Sequence, residues 1–213
     1  MKSEGLCNCC KNIFSGSAMA KHLQGCPERK NQIEKNKTNG KVYLIHARCD
    51  PFWIYFEVNS NSNLMEIDSF LRDLWLECCG HMSMFTIKGV NYSSGPQKGD
   101  GDKSMNISLD KVLSVGTPFI HEYDFGTTTT LGMRVVSEYK GKIKEINLLA
   151  RNNLPNFKCK CRKPAKDVCS QCVFDGESFF CKECGKKHEC WEEMLLPFVN
   201  SPRTGMCGYT GDE

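Results

Sequence analysis

The sequence predicts an α+β fold, in which a mixed or antiparallel sheet with packed helices is flanked by small cysteine-rich modules. Two observations predict this organisation. Runs of aromatic and β-branched residues, separated by turn signals, occupy the middle of the 213-residue chain and are typical of neighbouring strands. Of the 15 cysteines, four lie between Cys7 and Cys26 and seven between Cys159 and Cys190, so the middle of the chain is poor in cysteine. A chain of this length can form one sizeable domain with small appendages.

The bulk composition is that of a globular protein, with 40% hydrophobic and 25% charged residues. No segment approaches the roughly 18 consecutive apolar residues that a membrane span needs. The first five residues also lack the apolar segment of a secretory signal. We therefore expect a cytoplasmic protein that does not associate with a membrane. Disulfides rarely persist in that reducing compartment, so the many cysteines indicate metal binding.

The first module, residues 1–27, has cysteine and histidine at the spacing C-x2-C-x11-H-x3-C. The four positions are Cys7, Cys10, His22 and Cys26. Zinc takes four such ligands in a tetrahedron: a C-x2-C turn supplies two, and two residues four apart on a helix supply the others. The segment resembles a C2H2-like finger, which implies a ββα unit built around one ion. Cys9 is the alternative to Cys10 in the first pair.

Residues 28–40 separate this module from the middle of the chain. They are rich in Lys, Asn, Glu and Gln and show no apolar periodicity. A segment without an apolar stripe has no face to bury against a core, so this composition predicts a solvated linker.

Two strand-like runs open the central region, at 42–48 and 52–58, and the turn signal between them predicts an antiparallel hairpin. Asn63, with Glu66 three residues later, predicts the start of a helix by a capping pair. The apolar stripe of that helix should pack on the sheet. Its members are Leu64, Ile67, Phe70, Leu71, Leu74 and Trp75.

Further strands are predicted at 84–88, 118–123, 127–139 and 142–150. Between the first two of these, the polar, glycine-rich segment 89–106 predicts an exposed loop. Leu109, with Val112 and Leu113, predicts a short helix. An order of elements that is mostly local favours a mixed or antiparallel sheet with helices on one face.

Residues 41–150 contain two motifs that carry a family resemblance. The first is Leu71-Arg-Asp-Leu-Trp-Leu-Glu-Cys-Cys-Gly-His-Met-Ser-Met-Phe85, and the second is Phe119-Ile-His-Glu-Tyr-Asp-Phe-Gly126. The segment resembles the Ri-plasmid open-reading-frame-three-like family, also described as TnpR-like passenger proteins of insertion elements. The resemblance implies an α+β fold and a family without an established biochemical activity. Much of that family continues with Asp, Trp and His, where this chain has Thr127 to Leu131, so roles of those residues do not transfer.

The same motifs contain the residues of a candidate functional pocket: Cys79, His81, His121 and Asp124. One hypothesis is a catalytic pocket, with His81 as acid–base and Cys79 as nucleophile or ligand. Another is a zinc site made by Cys78, Cys79 and His81, although adjacent cysteines rarely chelate one ion comfortably. The simplest interpretation is structural, with Asp124 accepting backbone N–H groups and Gly126 permitting a positive φ at a strand turn.

The second module, residues 157–192, supplies eight ligands in four close pairs, the number that closes two tetrahedral zinc sites. It resembles the cross-brace fingers of the MYND and HIT type. That resemblance implies one ion on Cys159, Cys161, Cys181 and Cys184, and another on Cys169, Cys172, His188 and Cys190. Sequential pairing, with Cys159 to Cys172 on one ion and Cys181 to Cys190 on the other, is the alternative. With the first module, we expect about three zinc ions per chain.

The segment after this module, residues 193–213, is too rich in loop-forming residues to fold alone. We expect it to be a tail that docks on the central domain. Cys207 within it is a buried contact, a spare thiol or a reactive residue, and the sequence does not distinguish these roles.

Four protein ligands on each ion leave no open coordination position, which favours structural over catalytic zinc. We therefore expect a zinc-binding adaptor or interaction protein that contacts a protein or a nucleic acid. The alternative is an enzyme with a pocket near His81, His121 and Asp124 and purely structural zinc. Residues 1–41 have a formal charge of +5 and residues 151–190 of +4. These positive charges could bind phosphate groups, or they could simply keep the small modules solvated. The oligomeric state has no signal in the sequence.

Overall fold

A computed structural model describes residues 3–96, 99, 101–174 and 176–211. The strands are β1 (Glu4–Cys7), β2 (Ile13–Ser15), β3 (Lys41–Cys49), β4 (Phe52–Asn59), β5 (Ser83–Ile87), β6 (Val90–Ser93), β7 (Lys103–Ser104), β8 (Pro118–Tyr123), β9 (Thr129–Lys140), β10 (Asn147–Asn152), β11 (Asp167–Cys169), β12 (Phe179–Phe180) and β13 (Leu195–Pro197). The α-helices are α1 (Gly16–Gly25), α2 (Pro27–Lys35), α3 (Leu64–Leu71) and α4 (Lys182–Gly185). A π-helical turn covers Arg72–Leu76, and 3-10 turns cover Leu109–Lys111 and Glu192–Met194.

Within the described part of the chain, ten strands form one sheet in the order β2-β1-β10-β4-β3-β9-β8-β5-β6-β7. Neighbouring strands are antiparallel, except the parallel pair β6 and β7. A separate three-stranded sheet, in the order β12-β11-β13, lies in the C-terminal module. Helices combined with a large mixed sheet confirm the predicted α+β class.

The predicted hairpin and capped helix both form. Strand β3 pairs with β4 in one continuous register from Val42 opposite Asn59 to Cys49 opposite Phe52. At the start of α3, the Asn63 side chain accepts the backbone N–H of Glu66, and the Glu66 carboxylate accepts that of Asn63, both at 2.9 Å. The apolar stripe of α3 and the π-helical turn is buried against one face of the sheet, where it forms the main core.

The N-terminal module is part of the large sheet and not a separate domain. Strand β1 pairs with β10, and Gly5 lies so close to the Arg151 carbonyl and the Trp53 ring that a Cβ atom would collide with them. Met19 and Leu23 of α1 are fully buried against the face of the sheet opposite α3. The two faces of the sheet are therefore covered by different units.

Three segments differ from the sequence-based prediction. Residues 28–40, predicted as a linker, contain most of α2, because a buried ion pair of Arg29 with Glu57 replaces the missing apolar stripe. The predicted loop 89–106 contains β6, which pairs back onto β5, and β7; residues 97, 98 and 100 of this loop lie outside the described residues. The last predicted strand, 142–150, starts later, at Asn147. Among the described helices, none is long and apolar enough to cross a bilayer.

Candidate metal centres

Across the described residues, four groups of Cys and His side chains each bring their ligand atoms within 4.8 Å of one another. The finger site consists of Cys7, Cys10, His22 and Cys26; the tail site of Cys78, Cys79, His81 and Cys207; the first brace site of Cys159, Cys161, Cys181 and Cys184; and the second brace site of Cys169, Cys172, His188 and Cys190. Three thiolates with one imidazole, or four thiolates, form the donor set of tetrahedral zinc. The sequence-based expectation of about three ions thus falls one short of the groups that are geometrically able to hold a metal.

At the finger site, the end of β1 and the turn after it supply Cys7 and Cys10, α1 supplies His22, and Cys26 follows the end of α1. Cys10 Sγ lies 3.3 Å from His22 Nε2, and the Phe14 ring stacks on the His22 ring at 3.8 Å. Cys9, the alternative ligand, instead directs its thiol to Gln32 of α2 at 3.8 Å. The geometry therefore favours Cys10 over Cys9.

At the first brace site, one ligand pair lies on a tight turn after Phe157 and the other lies at the start of α4. Cys161 Sγ is 3.5 Å from Cys181 Sγ. Hydrogen bonds with Cys159, Cys161 and Cys181 raise the pKa of Cys184 to about 12. Crowded thiols oppose the loss of another proton, and a bound divalent cation reverses that effect.

At the second brace site, Cys172 Sγ lies 3.4 Å from His188 Nε2 and 3.7 Å from Cys190 Sγ. The Phe180 ring packs on the His188 ring at 4.3 Å. Burial, followed by hydrogen bonds with Cys169 and Cys190, raises the pKa of Cys172 to about 12. Each brace site takes its ligand pairs from alternating positions along the chain, which is the cross-brace grouping and not the sequential one.

The brace module contacts the central domain through a small aromatic cluster. Phe157 stacks on Phe179 at 4.3 Å, and Phe198 meets both rings edge-on at 5.4 Å. Phe198 is buried in the main core, and the other two rings pack against it. The cluster therefore attaches the base of the module to the main core.

The tail site joins the segment after the π-helical turn to the C-terminal tail. Cys79 Sγ lies 2.9 Å from His81 Nε2 and 3.6 Å from Cys207 Sγ. The His81 Nε2 to Cys207 Sγ distance is 3.3 Å, and Cys78 Sγ lies 3.8 Å from Cys79 Sγ. The structure thus adds Cys207 to the Cys78, Cys79 and His81 set that the sequence offered as a zinc site.

Asp124 lies beside this group and is held by several partners. Its Oδ1 is 3.6 Å from His81 Nδ1 and accepts the backbone N–H of Gly126, while its Oδ2 accepts a hydrogen bond from Arg203 at 2.5 Å. Burial works against ionisation, but Arg203 and the backbone N–H groups of Thr127 and Gly126 hold the pKa of Asp124 below its usual value. Asp124 is therefore a carboxylate that faces both a histidine and an arginine.

Of the candidate pocket residues, Cys79, His81 and Asp124 lie together, and His121 lies apart from them in the core. His121 is fully buried, and its Nε2 is 2.7 Å from Asp68 Oδ1 of α3. Asp68 also accepts a hydrogen bond from Arg72, which in turn donates to the His81 carbonyl at 2.6 Å. His121 thus supports the loop that contains His81 and does not line a shared cavity with it.

Sequence reasoning missed Arg203, which is fully buried in the tail. It offered Cys207 as a buried contact, a spare thiol or a reactive residue, but not as a member of a ligand group, and Cys207 lies 126 residues from His81. A weak signal existed, because Cys207 is an isolated cysteine within a glycine-rich segment. Its partners could not be read from spacing, since a long fold separates them along the chain.

Comparisons with known proteins do not assign the chain to a family. No family model matches it, and no curated protein matches it significantly. Among solved structures, the crystal structure of a protein of unknown function from Methanosarcina mazei Go1 is similar, with 18% identity and a TM-score of 0.44 over 53% of this chain and 68% of that chain. The resemblance of residues 41–150 to the Ri-plasmid family therefore stays a prediction.

Proposed function

We propose that this chain is a zinc-binding interaction protein, in which the finger and brace sites hold structural zinc and the brace module binds a protein partner. The observation that carries the proposal is a pair of solvated aromatic side chains beside the second brace site. Phe174 is 70% exposed and Trp191 is 76% exposed.

The donor sets support a structural role for the metal. The finger site and the second brace site each offer three thiols and one imidazole, and the first brace site offers four thiols. A tetrahedral ion with four protein ligands has no position left for a substrate or an activated water. Zinc at these sites would therefore shape the backbone and not perform chemistry.

Each exposed aromatic residue closely follows a ligand of the second brace site along the chain. Phe174 follows Cys172 by two residues, and Trp191 follows Cys190 directly. Because Cys172 Sγ and Cys190 Sγ are 3.7 Å apart, an ion bound there would hold both segments in place. Trp is enriched among the residues that dominate the energy of protein interfaces, and rigid presentation reduces the entropy lost on binding.

The charges of the brace module favour a protein over a nucleic acid. Three lysines form ion pairs in which Nζ lies close to a carboxylate oxygen. The distances are 3.2 Å for Lys160 with Glu177, 2.5 Å for Lys163 with Glu183 and 2.7 Å for Lys182 with Asp167. Each of these three lysines has a carboxylate beside it and is therefore less available to replace counterions than a lysine without an acidic neighbour. Binding led by phosphate needs cations that are available to replace counterions.

A cleft of about 380 Å³ adjoins the second brace site. It is lined by Asp167, Lys182, Gly185, Lys186, His188, Cys190, Glu192 and Leu195. Charges of both signs lie beside one aliphatic side chain, which suits a peptide segment of mixed composition better than a polyanion. A protein partner that covers Trp191 would have this cleft next to its binding surface.

The enzyme alternative has less support from the geometry. It requires His81, His121 and Asp124 to face one substrate, whereas His121 contacts Asp68 in the core. His81 Nε2 faces the thiols of Cys79 and Cys207, and Asp124 is engaged by Arg203. These groups are arranged around one another and not around a shared cavity.

Site-specific photo-crosslinking in cells tests the proposal. A photoreactive amino acid replaces Trp191 in one full-length chain and Phe125, which is 51% exposed outside the brace module, in a control chain. We expect a discrete protein adduct from position 191 that is reduced at least tenfold by Phe174→Ser and is not formed from position 125. Equal adducts from both positions, or crosslinking of position 191 to nucleic acid alone, would contradict a protein-binding brace.

A further inference from the structure

We propose that the tail site binds a further zinc ion, which fastens the C-terminal segment, residues 199–211, to the central domain. Neither the finger-type nor the cross-brace spacing includes this group, and the proposed protein-binding role does not depend on it. It is assembled only by the fold, because one of its ligands comes from the last part of the chain.

The spacing of the ligand atoms fits a tetrahedral ion. Zinc–ligand bonds of about 2.3 Å to sulfur and about 2.0–2.1 Å to nitrogen place sulfur atoms roughly 3.8 Å apart and sulfur roughly 3.5 Å from nitrogen. The Cys78–Cys79 and Cys79–Cys207 sulfur pairs are 3.8 and 3.6 Å apart, and Cys207 Sγ is 3.3 Å from His81 Nε2. The Cys79 to His81 contact, at 2.9 Å, is the one that would have to lengthen.

The local backbone accounts for the use of adjacent cysteines. The π-helical turn ends at Leu76, so Cys78 and Cys79 lie on an irregular segment and not on a helix or strand that would fix their directions. Gly80 has φ of +78°, a conformation that glycine adopts without the steric penalty of a side chain. This turn brings His81 back beside the two thiols.

The imidazole has the second partner that zinc-bound histidines commonly have. His81 Nδ1 faces Asp124 Oδ1 at 3.6 Å while Nε2 faces the thiols. A carboxylate on the far nitrogen orients a metal-binding imidazole and favours the tautomer that leaves the other nitrogen able to bind. Arg203 donates to the Asp124 carboxylate and also to Cys78 Sγ at 3.5 Å. A tail residue therefore contacts one proposed ligand, Cys78, and the carboxylate that orients another, His81.

The tail buries few large apolar side chains. Its buried residues are the polar Ser201, Arg203 and Thr204, together with Pro202, Gly205 and Tyr209. Cys207 has φ of +48°, which is strained for a residue with a side chain and is kept only where the surroundings require it. A metal ion bound to Cys207 would hold the residue in this conformation.

Exposure distinguishes this ion from the others. Two tail-site ligands, Cys79 and Cys207, are exposed and none is buried, whereas the finger site has two buried ligands. A chelator can approach an ion at such a site directly. We therefore expect the tail ion to be the first to leave when a chelator is added gradually.

Native mass spectrometry of the full-length protein, purified with zinc and without chelator, tests the assignment. We expect four zinc ions on the unmodified chain and three on Cys207→Ser. Cys49→Ser is the matched control, because Cys49 is partly buried and belongs to none of the ligand groups; it should keep four. Three ions on the unmodified chain, or four on Cys207→Ser, would overturn the proposal.

A second measurement needs no variant. The zinc-loaded protein is treated with iodoacetamide, and the alkylation of each cysteine is followed by peptide mass spectrometry before and after a small amount of chelator. We expect Cys79 and Cys207 to be protected at least tenfold in spite of their exposure, and to become reactive together with loss of the first ion. Alkylation of both at an unchanged rate would show that no metal covers them, and it would leave the role of the brace module untouched.

Discussion

The central domain and the brace module are stabilised in different ways. Between α3 and the large sheet, Trp75, Phe56, Phe85 and Tyr43 are all almost completely buried in one continuous core. In the described part of the brace module, the buried side chains are few and small, and three of them are cysteines of the ligand groups: Cys159, Cys169 and Cys181. A core of large apolar side chains can fold without a metal, whereas a module with so little to bury needs one.

The finger lies between these two extremes. Cys7 and Cys26 of the finger site are buried together with Met19 and Leu23, as in a small zinc module. The same cluster includes Leu44, Trp53 and Tyr55, which belong to the large sheet. The finger therefore shares a core with the sheet, whereas the brace module contacts the main core through the cluster of Phe157, Phe179 and Phe198.

Removal of metal should produce the largest difference between the two regions. With excess chelator, we expect the brace module to unfold completely, because binding of a structural zinc ion supplies about 10–16 kcal/mol in zinc-finger peptides. Strands β3, β4 and β9 should keep their hydrogen bonds. Hydrogen exchange measured by mass spectrometry checks this, with re-addition of zinc as the control. Loss of protection in β3 and β4 at the same chelator concentration as in the brace module would show that the regions fold as one unit.

The buried ion pair between α2 and β4 tests how firmly the finger region is attached to the sheet. Arg29 donates to Glu57 at 2.7 and 2.9 Å and to the Leu23 carbonyl at 2.8 Å, and both charged groups are buried. Arg29→Ala leaves Glu57 buried and unpaired, so we expect a loss of about 3–5 kcal/mol in the free energy of unfolding. Urea denaturation of the zinc-loaded protein measures it.

Two further variants make this prediction specific. Lys30→Ala removes the exposed neighbour on α2 and should change the free energy of unfolding by less than about 0.5 kcal/mol. Arg29→Met combined with Glu57→Leu removes both charges, and it should recover most of the stability that Arg29→Ala loses. If Arg29→Ala is no more harmful than Lys30→Ala, the ion pair does not attach α2 to the sheet.

The elements that could be predicted from the sequence are those specified by neighbouring residues. The helix start at Asn63 and Glu66 is a contact between residues three apart, and the β3–β4 hairpin is a pairing across a short turn. The brace ligands follow from cysteine and histidine spacings within about 30 residues. Their assignment to two ions in alternate pairs came from the resemblance to cross-brace fingers. In these cases the physical cause lies within the segment itself.

The features that could not be predicted depend on residues far apart in the chain. Helix α2 has no apolar stripe and is held by Glu57, which lies 28 residues from Arg29. His121 was offered as a pocket residue because of its chemistry, but the alternation along β8 directs it into the core with Phe119 and Tyr123. The tail site needs Cys207, whose position is known only once the tail is folded against Asp124. Spacing carries no information about such contacts.

The pH dependence of the free energy of unfolding should separate the contribution of the core that the finger shares with the sheet from the contribution of the metal. His46 lies on β3, stacks on Tyr55 at 4.3 Å, and has its pKa lowered to about 4 by burial, with a smaller contribution from Arg48. The unfolded chain then binds a proton near the ordinary value of 6.5, whereas the folded chain does not. The free energy of unfolding therefore falls as the pH falls below about 6.5, by about 2 kcal/mol at about pH 5, and is unaffected above about pH 7.5.

In the zinc-loaded protein, protonation of the ligands would also lower the stability over this range of pH, so the contribution of His46 has to be measured as a difference. His46→Phe keeps a ring on Tyr55 but cannot bind a proton, and it retains every zinc ligand. We expect the difference in unfolding free energy between the unmodified chain and His46→Phe to be constant above about pH 7.5 and to shift by about 2 kcal/mol in favour of the variant by about pH 5. Parallel curves would mean that His46 is solvated in the folded protein.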